Sequence, residues 1–147
     1  MRSVIVVLCG LPGSGKTTWL AENRLPSISS DEIRHLLADD ATDQTIHPRV
    51  FATIRYLLKQ RADIGRPVTY VDATHITPQE RRPYIELAES CGCEVEALFF
   101  DVPLEVCLER NRARVRKVPE EAIRDMALRL LRPSVDEGFA RVSIVSP

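Results

Sequence analysis

An α/β fold around a mostly parallel five-stranded sheet is what this chain predicts, on three observations. Short β-branched runs alternate with longer segments of helical period, the order expected of strands joined by crossover helices. The first run is apolar throughout and reads as a buried strand. A glycine-rich loop follows it at once. With 147 residues the chain is long enough for one real hydrophobic core and too short for two of ordinary size, so a single domain over 1–147 is expected.

VIVVLC (4–9) is the first strand. Its six or so apolar residues fall short of a signal peptide with its cleavage site, and of a membrane span of about 20 residues. GLPGSGKTT (10–18) leads from it into a helix from Thr17 to Glu22. SISS (27–30) is the second strand, and in ISSDEIR (28–34) strand gives way to helix with Ser29 or Ser30 as the cap. From Pro48 to Ile64 a helix sets Val50, Phe51, Ile54, Leu57, Leu58 and Ala62 on one face. VTYVDA (68–73) and EVEALFF (94–100) are the third and fourth strands. A helix from Pro119 to Leu131 opens on Pro-Glu-Glu, as helix starts prefer, and aligns Ala122, Ile123, Met126, Ala127, Leu130 and Leu131. VSIV (142–145) completes the sheet, and helices fill the remaining gaps. Ligands of such folds bind beyond the carboxyl end of the first strand.

Gly10, Gly15, Lys16 and Thr17 satisfy the pattern G-x-x-x-x-G-K-[ST] between a strand and a helix, the context in which it forms a phosphate cradle. The backbone N–H groups from Gly13 through Ser14, Gly15, Lys16, Thr17 and Thr18 turn inward around phosphates, Lys16 reaches the outer ones, and Thr17 offers its hydroxyl to Mg²⁺. ATP and Mg²⁺ are therefore the expected ligands. A nucleotide switch also needs D-x-x-G and N-K-x-D elements, and the sequence has neither. A motor or large assembly ATPase would carry more chain, so a small phosphotransferase is favoured.

Such an enzyme must activate an acceptor hydroxyl, neutralise the migrating phosphoryl group and exclude water. Asp31, where the second strand ends, is the candidate general base, and the plainer reading is that it complements a helix dipole. Arg34, one helical turn on, is placed to grip an anion on the acceptor. ERNRARVRKVPEE (109–121) sets Arg110, Arg112, Arg114, Arg116 and Lys117 where such a fold carries a lid, at about 110–119; one or two should touch ATP and the rest face solvent. Asp72 ends the third strand beside the presumed metal and is placed to hold Mg²⁺ through water. His75 follows it, and a lone histidine there is more often structural than catalytic.

Composition narrows the partners. Twenty basic and 21 acidic residues leave a net charge of −1, so no surface is built wholesale for nucleic acid or membrane. Four cysteines spell neither a disulfide framework nor a zinc site, which fits reduced thiols and a cytoplasmic location.

Taken together, GLPGSGKTTW, SSDEIRHLLADD with DQT (43–45), VDATHITPQERRPYIELA, FDVPLEVCLERNRARVRKVPEEAI and EGF near the end resemble the polynucleotide 5′-kinase family, particularly the kinase module of bacterial and phage end-healing enzymes. The likeness spans nearly the whole chain. It implies a three-layer P-loop kinase fold with a helical basic lid, and ATP-dependent phosphorylation of a 5′-hydroxyl on DNA or RNA. It further implies Asp31 as general base, Arg34 on the phosphate next to the reacting hydroxyl, Arg114 on the ATP phosphates, and Arg110 as a further nucleotide contact. Where such modules often read V-D-A-T-N this chain has His75. Relatives are commonly fused to a phosphatase or ligase, so a kinase-only chain is expected to rely on separate proteins for those steps. The same chemistry on a small metabolite, antibiotic or nucleotide sugar, and a non-catalytic ATP-binding regulatory module, are the alternatives.

Overall fold

The computed structural model describes residues 2–146. Five strands form one sheet: β1 (Val4–Cys9), β2 (Ser27–Ser29), β3 (Val68–Asp72), β4 (Glu94–Phe100) and β5 (Arg141–Val145). Their order is β2-β3-β1-β4-β5, and every pairing is parallel. The central strand β1 has β3 on one side and β4 on the other, with Val7 opposite both Val71 and Ala97.

Pleating splits the apolar strand residues between two cores. Ile5, Val7 and Cys9 of β1, with Val71, Val95, Ala97 and Phe99, join Ile33, Val50, Ile54, Leu58, Tyr84, Ile85 and Ala88 in the larger cluster. Val6 and Leu8 point the other way, to Leu20, Leu98 and Phe100. Burying each large aliphatic side chain contributes about 1.5–3 kcal/mol. The larger face is covered by α2 (Ser30–Ala38), α3 (His47–Asp63) and α4 (Pro78–Cys91), and the smaller by α1 (Lys16–Glu22). This is the three-layer arrangement expected. Two further helices, α5 (Leu104–Arg112) and α6 (Glu120–Arg129), pack on each other beyond the carboxyl edge of β4.

Strand bounds agree with expectation to within one residue, and α3 starts one residue early at His47. The last helix is shorter than its apolar pattern. It ends at Arg129; Leu130 is extended, and Leu131 is 58% exposed while its N–H donates to the carbonyl of Ile76. The Leu131 N–H is thus given to the loop after β3 instead of to the helix, and tertiary contact overrides the pattern. The basic run expected to form a helical lid at about 110–119 is likewise helical only at its start: Arg110 and Arg112 close α5, and residues 113–119 form an irregular turn. Asn111 holds that turn, its side chain donating to the carbonyl of Val118 (2.7 Å) and accepting from the N–H of Val118 (2.9 Å). All four cysteines are free. Among the described residues no helix is long and apolar enough to cross a membrane.

Candidate active site

The loop between β1 and α1 wraps the carboxyl end of the central strand. Gly13 has φ 85°, and a Cβ there would meet the carbonyl oxygen of Cys107 at 2.5 Å, so only glycine fits against α5. Gly15, at φ 95°, caps α1 and leaves its first N–H groups facing outward. Lys16 folds beneath the loop, its Nζ donating to the carbonyls of Gly10 and Leu11, each at 2.9 Å. Burial pulls the Lys16 pKa down to about 8, against a smaller upward pull from Asp72.

Sheet register brings the remaining groups to the same edge. Asp72 ends β3 beside β1, and Thr17 Oγ1 donates to its Oδ2 at 2.7 Å. Two hard oxygen donors side by side at the mouth of the cradle suit Mg²⁺, which takes one or two protein oxygens and keeps its other positions for water and phosphate. Ser29 of β2 stands opposite Asp72, and its side chain caps α2 by accepting from the N–H of Glu32. Of the two serines considered, Ser29 is the cap. Asp31 follows, and Arg34 Nη1 donates to its Oδ1 at 3.3 Å. Arg34 is 4% exposed, yet its Nε has no partner among the described residues.

These groups line one cavity of about 870 Å³. Of the residues singled out from sequence it gathers Gly13, Gly15, Lys16, Thr17, Thr18, Asp31, Arg34, Asp72, Arg110 and Arg114, while Gly10 and Ser14 are buried behind the loop. The basic run divides. Arg110 Nη1 donates to the carbonyl of Gly13 at 3.4 Å and Arg114 faces the cavity, whereas Arg112 turns away to Glu120. Arg116 reaches across to Asp31, its Nη2 donating to Oδ2 at 2.8 Å. Alternation along the sequence gave no sign of that contact, which exists only because the 113–119 turn folds over α2.

His75 is structural. At 2% exposure its Nδ1 donates to the carbonyl of Leu8 (2.6 Å) and its Nε2 accepts from the Tyr84 hydroxyl (2.9 Å), so the neutral ring is fully satisfied. Burial, together with the charges of Lys16 and Arg81, lowers its pKa to about 4 against the opposing hydrogen bond to Leu8. A folded-state pKa below the unfolded 6.5 means that the unfolded chain binds the proton more readily. The stability this provides is complete above pH 6.5 and is lost as pH falls toward 4, by about 3 kcal/mol. His75→Asn is accordingly expected to fold, since Asn tolerates the local φ of 44°, and to flatten the fall in melting temperature between pH 6.5 and 4. An unchanged acid slope in that variant would assign it to other groups.

The sequence reading also passed over Arg81. Completely buried, it donates to both carboxylate oxygens of Glu137 (2.9 and 3.0 Å) and to the carbonyl of His75 (2.8 Å). It ties the Glu137–Phe139 stretch to the loop after Asp72, and no periodicity marks it.

A family model described as AAA domain matches residues 5–133, with the cradle, Asp31, Arg34, Asp72 and the lid all inside the match. The chain belongs to that family. Among curated relatives of this AAA domain, the L-seryl-tRNA(Sec) kinase of Methanococcus maripaludis is 26% identical over 132 residues, covering 84% of this chain and 51% of the relative. The bifunctional polynucleotide phosphatase/kinase of Schizosaccharomyces pombe is 26% identical over 146 residues, covering 96% and 33%. The chain thus spans about half or less of the length of these relatives. Two solved structures share the fold: the Pnkp1/Rnl/Hen1 RNA repair complex (TM-score 0.74, 18% identity, 88% of this chain and 44% of that one), and the APS kinase CysC of Mycobacterium tuberculosis in complex with AMPPNP and APS (0.66, 20%, 99% and 89%).

Proposed function

We propose that this AAA domain is an ATP-dependent phosphotransferase whose acceptor is the 5′-hydroxyl end of DNA or RNA. The observation that carries the reading is Arg34: a buried guanidinium with an Nε unpaired among the described residues, 3.3 Å from the Asp31 carboxylate, on the wall of the cavity that also holds the cradle. A carboxylate able to take a hydroxyl proton and a cation seeking an anion stand side by side. A polynucleotide end presents that pair of groups, a hydroxyl and a phosphate on one sugar. The kinases among its relatives, one of them a polynucleotide phosphatase/kinase, support the same reaction class.

In this reading the backbone of residues 13–18 and Lys16 bind the ATP phosphates, with Arg114 and Arg110 closing over them from the lid. Arg34 holds the acceptor phosphate. Asp31 takes the proton as the acceptor oxygen bonds to the γ-phosphorus and the bond to the β-phosphate oxygen breaks, leaving ADP. Arg116 must give up its hold on Asp31 for the hydroxyl to approach. Thr17, and Asp72 through water, would hold Mg²⁺, which neutralises charge on the phosphates. Free thiols suit a cytoplasmic setting.

The test is transfer of labelled γ-phosphate from ATP to 5′-hydroxyl DNA and RNA oligonucleotides, beside a panel of sugars, antibiotics, nucleotide sugars and other metabolites. Oligonucleotide labelling is the expected result. Rapid phosphorylation of a metabolite with all 5′-hydroxyl ends left untouched overturns the acceptor, and ATP binding with no transfer to anything overturns the enzyme.

A further inference from the structure

A second, smaller cavity of about 200 Å³ opens beside the acceptor end of the site, between α3 and α4. We propose that it is a nucleobase slot for the terminal nucleotide of the acceptor, an inference that rests on the reading above and extends it. The two cavities share His47, Phe51, Thr74 and Glu80, so they adjoin. Contacts run from one to the other: Arg34 Nη2 lies 3.5 Å from His47 Nδ1, and the His47 and Phe51 rings are 4.6 Å apart.

The lining suits a flat heteroaromatic ring. Phe51, Pro83 and Tyr84 supply apolar and aromatic surface, and Tyr84 is fixed by its hydrogen bond to His75 and packed edge-on against that ring. A cavity of roughly 150 Å³ accepts one benzene, so this one takes a ring system and leaves the sugar outside, toward Asp31. Arg55 and Glu80 also line it, and among the described residues neither is in an ion pair. A guanidinium and a carboxylate at one apolar slot match the mixed acceptors and donors of a base edge; an aliphatic acceptor offers neither, and a fully hydroxylated one lacks the flat apolar face that Phe51 and Tyr84 would cover. Hydroxyl at Asp31, phosphate at Arg34 and base against Phe51 make three points of contact with a single nucleotide.

The experiment compares 2′-deoxyadenosine 3′-monophosphate with 1,2-dideoxyribose 3-phosphate, which differ only in the base. Wild-type protein should favour the nucleotide by about tenfold or more in kcat/KM, through KM, as base stacking on aromatic residues allows. Phe51→Leu, which keeps an apolar side chain against the core, should shrink that ratio to within about threefold. Equal use of both acceptors by the wild type, or an undiminished ratio in Phe51→Leu, overturns the slot. An NMR titration of the ring signals of Tyr84, which lines the smaller cavity and not the larger, decides the matter without turnover. Shifts with the nucleotide and not with the abasic sugar support the slot, and equal or absent shifts overturn it. Failure of both compounds as acceptors while a metabolite is phosphorylated counts against the acceptor proposed above, and the titration still judges the cavity.

Discussion

Lys16→Ala is expected to yield a folded protein whose phosphoryl transfer is lost, a fall of at least about 10²–10³ in rate. The cation lies under the cradle, held by the carbonyls of Gly10 and Leu11 and by Ser14 Oγ, and it lines the cavity, so its loss frees a few loop contacts and removes the charge proposed to meet the ATP phosphates. Circular dichroism and a coupled ADP assay on the purified variant check both halves, and near-normal turnover by a folded Lys16→Ala protein would take the cradle out of the mechanism. The pH dependence provides a second signature. Because burial lowers the Lys16 pKa to about 8, the unfolded chain holds this proton better than the folded one between pH 8 and the ordinary 10.5. Wild-type stability should gain from this group across that window while kcat/KM for ATP declines above about pH 8. Lys16→Ala should show neither trend.

Asp31→Asn is expected to lower the transfer rate by roughly 10²–10⁴ with the KM for ATP nearly unchanged. The amide keeps the size and one acceptor oxygen, enough for Arg34 or Arg116 but not both, and removes the negative charge together with the capacity to take a proton. Helix α2 should survive, because Ser29 and not Asp31 caps it. Thermal melts beside single-turnover rates separate the outcomes. A loss of stability with an unaffected rate in the folded fraction would make Asp31 a partner of the helix dipole and nothing more.

How far the site was legible in the sequence depended on whether a residue's role is local. The cradle is such a case: strand, glycine turn and helix start lie within 15 consecutive residues, and backbone geometry alone fixes where Gly13, Gly15, Lys16 and Thr17 point. Asp31 and Arg34 were legible for the same reason, being one turn apart on one helix that begins where a strand ends. The apolar α3 face was readable from its period, and Val50, Ile54 and Leu58 are indeed its buried members. The apolar period predicts a final helix longer than the one observed, because a period records which residues are apolar and not where the backbone stops being helical.

By itself, then, the sequence determined the alternation of strands and helices, the phosphate cradle and the pairing of a carboxylate with an arginine at the second strand's end. Short-range sterics, capping and hydrophobic period act between neighbours along the chain, and they suffice for those features. Only the tertiary structure decided that Arg116 lies on Asp31, 85 residues away, that Arg81 clamps Glu137 across 56, and that His75 is walled in by Leu8 and Tyr84. It also decided that α3 and α4 leave a cavity beside the acceptor site. Such contacts join segments that the strand order β2-β3-β1-β4-β5 brings to one edge of the sheet, and a buried ion pair or a cavity is a property of that packing, with no period along the chain to announce it.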